Sequence, residues 1–257
     1  GYWEWVDRIW PKLPVKVKHT LKIGAAFNPS YVKDEYVSLI YTPEDAKTLW
    51  EKNFFRVIAT DESQTPRSSA VNWLVGDAKK AAPFKILLDD FAPKIDSINT
   101  FNQLEDYGKA YHQIDNDPEL NHMLMLAHFV SNISPNQGVG IKGKNRLMAA
   151  ILQAIPNAPI NMVIALIYQS WKGFPDAITS TSNALRDWLA NHLFEGKQAE
   201  ECGAVMKKAL QAETKNWWVS TVLSYANSRL NKRQSSDAYI LWQWMKKEPT
   251  LIAQHTS

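Results

Sequence analysis

A single cysteine, Cys202, stands among 257 residues, so the chain has no internal disulfide to draw on. That suits a reducing compartment and sets a cytoplasmic expectation. Long apolar runs are missing too. The longest, Met162 to Tyr168, falls far short of the roughly 20 residues that cross a bilayer, and the N-terminal stretch lacks a signal-peptide apolar segment. Metal-ligand spacings such as Cys-x-x-Cys or His-Glu-x-x-His are also missing. His122 and His128, six residues apart, fall on different sides of a helix. Cys202 lies beside Glu200 and Glu201, which disfavour a thiolate. Asp89 and Asp90 point to two sides of a helix, and His112 with Asp115 is an ordinary i,i+3 pair. No metal, cofactor or catalytic residue is therefore expected, and the chain reads as non-enzymatic.

Apolar residues make up 45% of the chain, enough for a sizeable core. Eleven tryptophans are many for this length. Some must line the core, and others suit a binding surface. The net charge of +3 is too small by itself to argue for nucleic acid, but its distribution is uneven. Residues 1–24 hold five basic side chains against two acidic, residues 97–135 one against five, and residues 197–247 nine against four. Two basic ends flanking an acidic middle can recruit an anion or dock a second copy head to tail.

The first 60 residues differ in texture from the rest. "VKVKHTLKI" (15–23) and "EYVSLIY" (35–41) alternate as strands do, with "AAFNPS" as a turn between them. "TPEDAKTLWEK" reads as a helix start, with Thr42 as N-cap and Pro43 at the first helical position. "NFFRVIAT" (53–60) predicts a third strand, and "DESQTPRSS" (61–69) a polar linker. Beyond it, helices are predicted near 70–81, 83–96, 98–114, 117–133, 144–155, 159–172, 176–195, 198–212, 214–232 and 236–252. The fold expectation is a mainly α protein, an irregular multi-helix array with a small α/β or β-hairpin element at the N-terminus. It divides into 1–62, the arm and small element, and 63–257, the helical domain.

Three stretches carry the functional candidates. "GVGIKGKN" (138–145) fits the first seven positions of G-x-x-x-x-G-K-[ST] but ends in Asn145 instead of a hydroxyl, and a helix instead of a strand is predicted before it. What remains is a loop carrying Lys142, Lys144 and Arg146 into a helix N-terminus, either an anion site or a plain solvated turn. In 213–233, Trp218, Tyr225, Arg229 and Lys232 share a helix face beside Arg233. Interleaved rings and cations can stack bases and meet phosphates, or simply pack and snorkel. "GYWEWVDRIW" places Trp3, Trp5 and Trp10 on an arm that either docks a protein or folds back on its own domain.

The function expected is a nucleoprotein-type helical protein that binds single-stranded RNA or DNA without reading sequence and self-associates. The phosphate and stacking contacts would come from Lys142, Lys144, Arg146, Trp218, Tyr225, Arg229, Lys232 and Arg233. The alternative is a cytosolic interaction scaffold or adaptor subunit, docking a protein partner through Trp3, Trp5 and Trp10.

Overall fold

The structure, a computed structural model, describes residues 2–26, 28–32, 39–52, 68–116, 119–189, 191 and 192, with 228 and 231. Among these the protein is mainly α: ten α-helices and two short strands. The sequence segments predicted as a strand at 53–60 and as helices at 198–212, 214–232 and 236–252 lie outside the described residues, as do Asp117 and most of the linker.

The chain forms two compact units. The first holds residues 1–88 and 94–108, the second 89–93 and 109–257.

In the first unit, α1 (Tyr2–Ile9) runs into a 3-10 turn, and α2 (Val15–Thr20) follows. The strand expected over 15–23 is a correction. Pro14 precedes the segment in extended conformation, and the chain then winds into a helix that buries Val17 and leaves Val15 65% exposed. Helical spacing, not alternation, decides which valine goes inside. The small element is β1 (Ile23–Ala25) with β2 (Leu39–Tyr41), paired in parallel with Ile23 opposite Leu39. Parallel pairing excludes a hairpin, since the ends to be joined lie at opposite ends of the ladder. Asn28 caps a short 3-10 turn between them.

The helix start at Thr42 is also corrected. A 3-10 turn occupies Glu44–Ala46, and α3 covers only Lys47–Glu51. The Thr42 hydroxyl is buried without a hydrogen-bond partner, so it caps nothing.

α4 (Ser69–Val75) is capped by the Ser68 hydroxyl and closes at Gly76 in the left-handed conformation. That residue makes the break, and α5 (Ala78–Phe91) runs through Pro83. Pro83 stands in the second turn, where a proline withholds the hydrogen bond to the carbonyl four residues back. α6 spans Ile98–Gln113. Its Glu105 carboxylate accepts from Ser69 N, Ser69 Oγ and Ala70 N, so α6 supplies the anion for the N-terminus of α4. Trp73, Phe84 and Phe101 form an aromatic cluster with centroids 4.7–6.0 Å apart.

The second unit is built on α7 (Leu120–Ile133), α8 (Ile141–Ala154), α9 (Ile160–Ile167) and α10 (Ala177–Leu189). α7 packs on α8 and α9, and α10 on α8 and the 3-10 turn that follows it. Leu126, Val130, Leu147, Ile151, Val163 and Leu185 are fully buried between them. Trp188, also fully buried, donates its indole N–H to the Ala158 carbonyl at 2.7 Å.

Candidate functional site

The segment 138–145 is not a loop leading into a helix. Its second half is the helix, for α8 begins at Ile141, three residues ahead of the predicted start. The reason lies in its glycines and in what they face. Gly140 takes a φ of 65°, and a Cβ there would stand 2.2 Å from the Phe91 carbonyl oxygen. A Cβ on Gly143 would lie 2.8 Å from both the Asp90 carbonyl oxygen and the Phe91 ring. The two glycines let the last turn of α5 come into backbone contact with the first turn of α8. The negative end of one helix thus meets the positive end of the other, which favours the junction electrostatically. Directly after it the chain turns at Ala92, held at a φ of 42°.

Each candidate cation on α8 has an internal partner. Lys144 is fully buried and donates to the carbonyls of Asn136 and Val139, both at 2.7 Å. Burial lowers its pKa from the ordinary lysine value. Gly138 N donates to Asn136 Oδ1, so the segment before α8 is tied from two sides. Lys142, with 80% of its side chain exposed, places its ammonium 2.7 Å from Oδ1 of Asp90, whose side chain is 2% exposed. The contact is an ion pair without hydrogen-bond direction. Arg146 pairs with Asp115 and lies over the Tyr111 ring, 4.6 Å from its centroid.

Tyr111 joins these pairs. It is fully buried, stands edge-on to Phe91 and donates its hydroxyl to Asp90 Oδ2 at 2.7 Å. Burial first, and the hydrogen bond to Asp90 next, push its phenol up to about 12. For Asp90 the largest influence is burial, which raises its pKa. The close Lys142 ammonium and the hydrogen bond from Tyr111, with the charge of Arg146, outweigh it and hold the carboxyl below its ordinary range. Two carboxylates, two cations and one neutral phenol therefore make a cluster of no net charge. Such a cluster offers an incoming anion little unless a carboxylate gives way.

The sequence candidates separate as follows. Lys142, Lys144 and Arg146 come together in the first turns of α8. Trp218, Tyr225, Arg229, Lys232 and Arg233 lie outside the described residues. Trp3, on α1, is 67% exposed. Trp5 belongs to the same helix, its side chain outside the description, and Trp10 is half-buried in the turn that follows. The arm also folds back within its own unit: Arg8 Nη1 donates to the Val75 carbonyl at 3.2 Å, and Lys12 Nζ to those of Trp73 and Leu74 at 2.6 and 3.0 Å. These are the carbonyls left open at the end of α4, where cations are favoured.

Sequence reasoning missed Asp90, Tyr111 and Asp115 as members of one cluster. The signal present was the pair of glycines three apart, Gly140 and Gly143, which marks a helix face open to close approach.

Among the described residues no three His, Cys, Asp or Glu side chains gather as metal ligands, and no helix is long and apolar enough to cross a membrane. No protein-family model, curated protein or solved structure matches this chain.

Proposed function

We propose that this is a non-enzymatic helical protein of the cytoplasm that acts as an interaction scaffold or adaptor, docking a protein partner through α1. The observation that carries this reading is the setting of Trp3. Trp3 is 67% exposed on a helix whose far end meets α4 through Arg8 and Lys12. An exposed tryptophan has only two rotatable side-chain bonds and gives up little conformational freedom on binding, which favours it as an interface anchor. The test is affinity capture with wild-type and Trp3→Ala chains as bait, followed by titration of the purified partner. A partner lost with Trp3→Ala, whose affinity changes little between ~50 and ~200 mM salt, supports the reading. Identical captures by the two baits overturn it.

A second reading keeps the protein as a nucleoprotein-type binder of single-stranded RNA or DNA that self-associates. The observation in its favour is Lys142, whose stem is 80% exposed beside Arg146 on one face of α8. In the sequence, residues 197–247 carry nine basic side chains against four acidic. Fluorescence anisotropy with a labelled single-stranded RNA oligomer tests it. Tight binding that weakens by several orders of magnitude as salt rises supports it, and no binding at low salt removes it.

A further inference from the structure

We propose that residues 2–20 form an electrostatic strap over α4, a segment fastened by charge and detachable without unfolding the unit beneath it. Three cations spaced four residues apart make the fastenings. Arg8 and Lys12 take the carbonyls of Val75, Trp73 and Leu74, and Lys16 takes Asp96 at 2.9 Å. Lys12 also lies over the Trp73 ring, 5.4 Å from its centroid, so the strap covers one side of the Trp73–Phe84–Phe101 cluster.

The fully buried apolar part of the fastening is small, with Val6, Trp10 and Leu13 half-buried. Among the described side chains of residues 2–20, only Ile9, Pro14 and Val17 are buried. The Arg8 bond is exposed, the Lys12 bonds are part-buried, and the Lys16–Asp96 pair has side chains 73% and 41% exposed. Contacts of this kind weaken as ions screen them, whereas the apolar cores of both units do not. Release leaves α4 capped at its start by Ser68 and Glu105, bares the Trp73 ring and frees three carbonyls at the C-terminal end of α4. Ionic strength, or an acidic segment of another molecule competing for the three cations, therefore controls whether that surface is covered. The strap stands whether or not Trp3 meets a partner.

Hydrogen exchange on the full chain tests it. The expected result is that backbone amides of 2–20 exchange about tenfold faster in ~1 M than in ~50 mM sodium chloride, while α7 and α8 keep their rates. Lys12→Ala at low salt should produce a comparable rise in 2–20 and leave the urea unfolding of the chain in place. If the strap amides ignore salt, or answer it in step with α7, or keep their protection in Lys12→Ala, the segment is an integral part of its unit and the proposal fails.

Discussion

Arg8, Lys12 and Lys16 follow one another at steps of four along residues 2–20, whereas Lys142, Lys144 and Arg146 follow at steps of two along α8. Both sets direct charge at the ends of helices and at carboxylates of their own unit. They differ in depth. The first set works nearer the surface: the Arg8 bond and the Lys16–Asp96 pair are exposed, and the Lys12 bonds are part-buried. The second includes a lysine with no exposure at all and another whose partner carboxylate is 2% exposed. A run of basic residues is therefore no measure of the charge available to a ligand. What matters is how much of each ammonium or guanidinium already has a partner, and how far that pairing is shielded from water.

The sharpest way to break the comparison is at the glycines. Gly140→Val adds a Cβ that would stand 2.2 Å from the Phe91 carbonyl oxygen, on a backbone with φ of 65°. Strain and overpacking together should cost about 3–5 kcal/mol, seen as a large drop in the urea midpoint. Lys144→Met comes next. It keeps the buried stem and removes the ammonium, leaving the Asn136 and Val139 carbonyls unmet at a cost of about 2–4 kcal/mol. The cleavage rate by a protease should rise first within 136–141. A loss below about 1 kcal/mol in urea unfolding would place Lys144 with the surface cations and erase the contrast.

Tyr111→Phe should cost about 1–2 kcal/mol at neutral pH, since Asp90 then loses its directed hydrogen bond. Its pH dependence is the more telling result. The folded phenol is raised from 10.0 to about 12, so its contribution is fully present below pH 10 and is lost as pH climbs through about 12. The wild type should lose stability across that window more steeply than Tyr111→Phe. The acid side runs the other way. The Asp90 carboxyl is depressed below 3.8, so its contribution is present above that value and disappears as pH falls through the lower folded one.

How much of this could be read from the sequence depends on the range of the interactions. Mainly helical character and the spans of α6 and α7 follow from periodicity, a local property. Val15 and Val17 alternate like a strand, yet Pro14 and the burial of Val17 alone turn the segment into a helix. The break predicted between 81 and 83 is absent, since α5 runs through Pro83, and the chain breaks instead at Gly76, whose left-handed backbone ends α4. The α8 cations were legible as a group. Their partners were not, because Asp90 and Tyr111 lie far from them along the chain and only the packing of α5, α6 and α8 brings them together.

The smallest expected effect separates the two sets most finely. Lys16–Asp96 and Arg146–Asp115 are both ion pairs with exposed members, but the guanidinium of Arg146 also rests on the buried Tyr111 ring. In a double-mutant cycle with alanine at each position, Lys16–Asp96 should therefore couple by about 0.5 kcal/mol or less, fading with salt. Arg146 with Tyr111, taken to Phe and then to Leu, should couple by about 1 kcal/mol and persist, because the ring contact is partly desolvated. Equal coupling in the two cycles would mean that both basic stretches hold their unit in the same way. A salt-resistant Lys16–Asp96 term in particular would turn the strap into a fixed element, and the division between surface fastening and buried anchoring would then rest on Lys144 alone.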